Sequence, residues 1–371
     1  MSRKCVLFVL WSAFAAFAQQ PAPRPRPKVS AETEVVVVTG TFEPVPLSES
    51  NRLVLSLDAQ SQPLLYNSVI DYLTLDPSVD LGQRGQGGTQ ADLSIRGATF
   101  EQSLVLLNGL RINDAQTGHH DMDIPIPLET VSRVEVLHGS GSTFYGADAL
   151  GGAVNFITST PAATEVRLEG GFGNFGFNQQ RVAAALVRSR WSEQIVGSRD
   201  FSTGFRPDRD YRSSSASSET RITTALGTSD ILFAGSDRPY GADQFYGRYN
   251  SWERTKSWFV SGTQELGKST VASFGYRRHS DEFILYRDNP LYYENNHVSQ
   301  SWQAAIRRRS AIGNDVKVSY GLDSDGDKID SNNLGMHARN RGAGYVNVDL
   351  QSFQRLFLSL GAREEIFSGG R

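Results

Sequence analysis

The chain has 371 residues, with 37 Lys and Arg against 40 Asp and Glu, for a net charge of −3. Charge so evenly balanced offers no field for nucleic acid, and the length allows two domains or one large one. Cysteine occurs once, at Cys5, so neither disulfides nor thiolate metal sites hold the fold together.

The N-terminus reads as a targeting segment. Arg3 and Lys4 form a basic region, residues 6–17 are apolar, and Ala16-Phe17-Ala18 is a small-x-small cleavage site. The competing reading is an uncleaved membrane helix, but about 20 apolar residues are needed to span a bilayer and this run is shorter. Residues 1–18 are therefore expected to be a signal peptide. Cys5 precedes the apolar run, where a lipoprotein acceptor would have to follow it, so it leaves with the peptide.

Residues 19–33 open with the proline-rich stretch QQPAPRPRPK, a stiff, extended arm. Residues 34–40 follow as Glu34, Val35, Val36, Val37, Val38, Thr39 and Gly40. Four β-branched residues on an arm are an aggregation hazard, so the segment is read either as a strand offered to a partner's sheet or as the first strand of the next domain.

Residues 93–158 carry the densest signal. Leu104, Val105, Leu106 and Leu107 run into Asn108-Gly109, and Val131, Val134, Val136 and Leu137 run into Gly139-Ser140-Gly141, so each apolar pairing segment stops at a turn. Gly146, Gly151 and Gly152, with Ala147, Ala149 and Ala153, allow close backbone approach before residues 154–158 form another strand. The series Ile95-Arg96-Gly97, LVLLNG ending at Gly109, RVEVL ending at Leu137, FYG and LGGAVNFIT resembles the plug domain of TonB-dependent outer-membrane receptors, in that family's order.

From Glu165 the texture has period two. Val316, Val318, Tyr320 and Leu322 alternate with Lys317, Ser319 and Gly321. Val346, Val348 and Leu350 repeat the pattern, as do Leu356, Leu358 and Leu360. Tight turns are predicted near Arg190, Thr228, Gly267, Asn314 and Arg355. They alternate with longer loops around Arg209, Tyr246, Tyr292 and Asn333, the pattern of a membrane barrel with short periplasmic turns.

The fold class expected is a mixed α+β plug at 41–160 followed at 161–371 by antiparallel transmembrane β-barrel strands. About eleven strands are predicted, whereas a barrel that encloses a plug has about 22. The chain also ends without the aromatic residue such barrels present for assembly, so an incomplete barrel, the N-terminal part of a longer receptor, is expected.

The resemblance implies that residues 34–39 are a TonB box, and that plug arginines lock onto barrel glutamates. Arg96 is the candidate for a buried lock residue. His138 stands where the family pattern places an arginine, with Glu135 as its expected neighbour. Histidine cannot fork onto two carboxylates, so the lock is weaker or pH-sensitive here, or His138 is a strand-end residue facing solvent. Asn113, Asp114, His119 and His120 fall where the family often has apical loops, and with Tyr246, Tyr249 and Trp252 they are the ligand-contact candidates. Tyr and Trp equally build interfacial girdles.

Neighbours on an extended segment point to opposite faces, so the run His119, His120, Asp121, Met122, Asp123 is read as a polar loop rather than a metal set. Asp323, Asp325, Asp327 and Asp330 fail the EF-hand pattern, leaving solvated loop acids or a looser calcium site as the readings. No metal and no cofactor is assigned. No Ser/His/Asp arrangement, paired-carboxylate motif or H-E-x-x-H is present, so catalysis is not expected.

The resemblance implies a monomer in the outer membrane of a Gram-negative cell, in contact with lipid and energised by TonB and its inner-membrane complex. It would import a scarce, bulky small molecule of cobalamin or ferric siderophore type. A passive structural or adhesive barrel and a nonfunctional receptor fragment are the alternatives.

Overall fold

The computed structural model describes residues 36–39, 45–47, 52–60, 65–313, 315–352 and 356–369. The predicted signal peptide, the proline-rich arm, and Glu34, Val35 and Gly40 lie outside the described residues.

The N-terminal strands are short. β1 (Val36–Val37) pairs antiparallel with β2 (Val45–Pro46). β3 (Val54–Asp58), β4 (Val79–Gln83), β5 (Ala91–Ile95), β6 (Ser103–Leu107), β7 (Leu110–Arg111), β8 (Val131–His138) and β9 (Gly152–Thr158) build the plug. Five of these form a sheet in the order β3-β8-β9-β6-β7, parallel between β6 and β9 and antiparallel elsewhere. β4 and β5 form a separate hairpin.

The sheet's apolar side chains close one core around Ile70, Leu73, Leu93, Ile95, Leu107, Val134 and Phe156, all at most 1 % exposed. Asn108 and Gly109 turn β6 into β7 with φ of 51° and 78°, as a tight hairpin with two left-handed central residues requires. Helix is confined to α1 (Ser142–Tyr145) and short 3-10 turns among the described residues.

Eleven long strands follow: β10 (Glu165–Phe172), β11 (Asn178–Val187), β12 (Trp191–Ser202), β13 (Tyr211–Thr223), β14 (Thr228–Asp243), β15 (Asn250–Leu266), β16 (Thr270–Ile284), β17 (Glu294–Ile312), β18 (Val316–Ser331), β19 (Gly335–Ser352) and β20 (Leu356–Ser368). Each pairs antiparallel with its neighbour in chain order, giving one open eleven-stranded sheet in which β10 and β20 are the edges. The strand number agrees with the sequence expectation. Among the described residues one connection differs: the predicted loop around Asn333 is a three-residue turn on extended strands, because the β18-β19 ladder runs on to Ser331 and Gly335, while the predicted turn positions Asn314 and Arg355 lie outside the described residues.

The period-two pattern sorts the two faces. Val166, Leu168, Ile195, Phe233, Trp258, Phe274, Ile306, Leu322 and Leu360 are exposed on one face, where Ile306 stands opposite Leu322 and Tyr276 opposite Trp302. On the other face Ser251, Glu253, Thr255, Ser257, Arg277, His279, Asp281 and Asn347 are buried against the plug. An apolar outer band with a polar interior is the arrangement a lipid-facing sheet needs. Among the described residues no helix is long and apolar enough to cross a membrane.

Candidate functional site: the interface between plug and sheet

The part of the valine segment within the described residues is docked rather than free. Val37 and Thr39 are fully buried, and Val37 joins a cluster with Leu104, Leu106, Leu137 and Phe144 of the plug and Tyr345 of β19. Glu135 lies at the middle of β8, itself fully buried. Its Oε2 accepts hydrogen bonds from the Val38 amide at 3.0 Å, the Thr39 amide at 2.8 Å and the Thr39 hydroxyl at 2.6 Å, while Oε1 takes Arg133 Nε at 2.8 Å. Asn155 on β9 donates to the Thr39 hydroxyl at 3.1 Å. A carboxylate gathering backbone N–H groups is a strong, charge-assisted clasp. Glu135 therefore does not partner His138, contrary to the expectation from sequence, but holds the chain that enters the plug.

His138 turns to Asp76 inside the plug, with Nε2 2.6 Å from Oδ2. Asp76 is largely buried, which works to raise its pKa. The Ser78 amide and hydroxyl and His138 outweigh burial, leaving the carboxyl below its usual range. Among the described residues neither His138 nor Glu135 touches the sheet in an ion pair.

Arg96 likewise makes no lock with the described strands. It occupies a left-handed turn at φ 52°, its amide donates to the Ser78 carbonyl at 2.8 Å, and its side chain is exposed and forms no ion pair among the described residues. The turn geometry that makes Ile-Arg-Gly recognisable points the guanidinium outward.

The ion pairs between plug and sheet run mostly the other way, from arginines of the sheet to carboxylates of the plug. Arg181 of β11 meets Glu129 at 2.6 Å and donates to the Asn67 carbonyl at 3.1 Å. Arg277 of β16 meets Asp114 at 2.8 Å, with Ser299 of β17 donating to the same oxygen at 2.6 Å. Arg238 of β14 lies 3.4 Å from Asp123 and donates to the Ile124 carbonyl. Arg111 supplies the reverse polarity, reaching Asp327 of β18 at 2.7 Å and Asp325 at 3.5 Å, while its main chain exchanges two hydrogen bonds with the Gln303 amide at 2.9 and 2.7 Å.

Burial raises Glu129 above the ordinary carboxyl range, against the opposing charge of Arg181. Burial works the same way on Asp114 but loses to His279 and Arg277, so that carboxyl stays ionised.

The acids at 323, 325 and 327 do not form a calcium loop. They lie along β18 at alternate positions and face arginines, Asp323 meeting Arg363 at 2.7 Å, Asp325 meeting Arg341 at 2.9 Å and Asp327 meeting Arg339 at 2.9 Å. A strand places i and i+2 on one face, which the linear pattern had disguised as a loop.

The segment read as a polar loop is buried at the interface. His120, Asp121 and Asp123 are 3, 3 and 6 % exposed. His120 lies within 3.4 to 3.8 Å of Glu253, Asp281 and Asp123, and His279 of β16 bridges Asp123 at 2.9 Å and Asp114 at 3.0 Å. Burial alone would lower the pKa of His120, but the carboxylates of Asp281, Glu253 and Asp123 push it up to about 10. His279, Arg277, Arg238 and Glu253 were not legible as site residues, because only the strand register aims them at the plug.

The remaining ligand-contact candidates separate. Asn113 is structural: its side chain accepts from the Val105 amide at 2.8 Å and donates to Asp121 at 2.7 Å. His119 is one-third exposed, pairs with Asp92 at 2.7 Å and lies beside the Phe100 ring. Tyr246 and Tyr249, in the connection between β14 and β15, are 40 and 37 % exposed, and Tyr249 meets Tyr286 edge to face. The Tyr246 hydroxyl donates to Glu253 at 2.8 Å and lies 3.0 Å from Gln90. Trp252 alternates with the inward Ser251 and Glu253, so it belongs to the outer face rather than to a ligand surface.

Residues 54–153 match the family model "TonB-dependent Receptor Plug Domain". The chain is 35 % identical over 129 residues to the "Vitamin B12 transporter BtuB" of Photobacterium profundum, a match covering 34 % of this chain and 21 % of that protein. Among solved structures, the siderophore receptor PirA from Pseudomonas aeruginosa aligns with a TM-score of 0.59 at 17 % identity over 85 % of this chain and 58 % of its own. The structure of the FpvAI-pyocin S2 complex aligns at 0.67 and 14 %, over 91 and 54 %. At such identities the structures share the fold. The chain spans little more than half the length of these solved relatives, and its match to the curated one spans about a fifth.

Proposed function

We propose that this chain, whose residues 54–153 match a TonB-dependent receptor plug domain, is part of such a receptor and serves energised import of a bulky small molecule across the outer membrane, with residues 34–39 as the segment that the TonB partner engages. The single observation that carries this reading is the Glu135 clasp. A valine-rich strand at the chain's entry to the plug is held by backbone hydrogen bonds to one carboxylate, a fastening that can be undone without unfolding the plug.

An outer membrane holds neither nucleotide nor potential, so work on a bound ligand has to arrive through such a segment. Pulling on it loads Glu135, β8 and then β9, whose last residue Thr158 donates to Glu219 of the sheet at 2.8 Å. The ligand class is cobalamin or ferric siderophore, supported by the similarity to a vitamin B12 transporter and to siderophore receptors. The exposed Tyr246, Tyr249 and Tyr292, with the half-buried Tyr286 packed among them, supply rigid amphipathic contact area on the side of the longer connections.

The test is uptake of cyanocobalamin and of ferric siderophores by cells carrying the full chain, with and without deletion of residues 34–39. Deletion is expected to abolish uptake while ligand binding survives. Uptake that ignores the deletion would sink the reading in favour of a passive barrel.

A further inference from the structure

We propose that His120 of the plug, with Glu253 of β15 and Asp281 of β16, forms a binding site for a divalent first-row transition cation, best matched by Zn2+. The site ties the plug to two adjacent strands near their outer ends.

The spacing is the first argument. His120 Nε2 stands 3.4 Å from Glu253 Oε1 and 3.6 Å from Asp281 Oδ2, long for charge-assisted hydrogen bonds. Ligands held about 2.0–2.2 Å from a tetrahedral zinc are separated by about 3.3–3.6 Å, which is this separation. One imidazole nitrogen with two carboxylate oxygens is also a donor set zinc accepts, leaving a fourth position for water or another ligand.

Charge is the second. The plug's Asp114 faces Arg277 and His279, and Asp123 faces His279 and Arg238, so these two acids are matched by cations. Glu253 and Asp281, whose side chains are 2 and 7 % exposed, have only His120 between them in an ion pair among the described residues. Two buried carboxyl groups facing one imidazole cannot both be matched as anions by it where water is excluded, a setting that a divalent cation suits. Asp281 Oδ1 is buried without a hydrogen-bond partner, a costly state that a bound cation relieves. A metal ion takes the place of the imidazole proton and brings two charges instead of one.

The surroundings complete the set. Asp123 lies 3.8 Å from His120 Nδ1, on the far side of the ring, beyond hydrogen-bonding distance but with its charge turned to the imidazole. Tyr246 donates to Glu253 Oε2 at 2.8 Å, which leaves Oε1 for the ion. The alternative grouping of His120, Asp123 and His279 is disfavoured, because His279 already spends both nitrogens on Asp123 and Asp114 at hydrogen-bonding distance.

The test is calorimetric titration of ZnCl2 into the purified full chain in detergent, with Co2+ absorption as a second readout. One Zn2+ per chain is expected, with at least a tenfold loss of affinity in Glu253→Gln and in Asp281→Asn, and a cobalt spectrum of tetrahedral intensity in the unsubstituted protein. His119→Ala alters a one-third-exposed neighbour that pairs with Asp92 and is expected to keep affinity within threefold. No Zn2+ binding by the unsubstituted chain, retention of full affinity in both carboxylate variants, or loss of binding in His119→Ala would each overturn the site. If a carboxylate variant fails to fold, an octahedral cobalt spectrum in the unsubstituted protein does so as well. None of these readouts depends on import of a bulky ligand, so the two readings fail separately.

Discussion

Glu135 Oε2 lies 2.8 Å from the Thr39 amide nitrogen and 2.6 Å from the Thr39 hydroxyl, joining residues 96 positions apart in a fully buried clasp. It makes the fastening of the entering chain a matter of one carboxylate.

Substitution Glu135→Ala should release residues 37–39 while leaving the plug core closed. Hydrogen bonds to a charged acceptor are worth about 1.5–3 kcal/mol each, and here they are shared by two amides and a hydroxyl. Amide hydrogen exchange at Val38 and Thr39 is expected to accelerate at least tenfold relative to that of Val134 and Phe156. Unchanged protection at Thr39 would mean that the Val37 packing alone holds the segment.

Arg181 and Glu129 fasten the other end of the plug to β11, with side chains 4 and 7 % exposed. Removing one partner of such a pair strands the other and costs about 3–5 kcal/mol, whereas replacing both with apolar residues is often neutral. Arg181→Ala is therefore expected to lower the denaturation midpoint sharply, and Arg181→Met with Glu129→Leu to recover most of the loss. A double variant no better than the single one would contradict this.

Gly152 opens β9 at φ 144°, and a Cβ there would run into the Leu137 carbonyl oxygen. Gly152→Ala has to move β8 from β9 and accept a backbone conformation costing about 1–3 kcal/mol. The expected result in a thermal melt is a clear drop in midpoint, larger than that of Gly109→Ala, since nothing lies within 4 Å of a Cβ placed at Gly109.

The Asp76 carboxyl sits below its ordinary range in the folded plug, so the unfolded chain binds more protons than the folded one once the pH drops towards that range. Its stabilising contribution is thus present above the unfolded pKa and lost as the pH falls through the folded value. Unfolding followed from about pH 6 down to about pH 2 should show a loss of stability that is smaller in Asp76→Asn. Equal acid sensitivity in both proteins would assign the effect to other carboxyls.

Phe274 projects from the outer face of β16 and is 48 % exposed. If that face meets hydrocarbon, Phe274→Arg costs about 2–4 kcal/mol near the bilayer midplane. Folding into lipid vesicles is the measurement. A variant that folds as well as the unsubstituted chain would mean that the band is not lipid-facing.

Much of the architecture was legible. The alternation of Val316, Val318, Tyr320 and Leu322 reads directly as one face of a strand, and Asn108-Gly109 reads as a hairpin, because both signals are local and follow from side-chain alternation and left-handed backbone preference. The lock was misplaced on Arg96 for the same reason. A motif shows where the backbone turns, not which wall its side chain faces.

What the sequence by itself determined is the glycine-punctuated plug, the run of about eleven antiparallel strands and the greasy outer face, since each rests on interactions within a few residues or between adjacent strands. What only the tertiary structure decided is who meets whom across the interface. Glu135 receives the entering chain, Arg181 and Arg277 reach into the plug, and His120 stands between Glu253 and Asp281. Those pairings depend on the register of strands far apart in the chain, where a one-residue slip would turn every inward side chain outward.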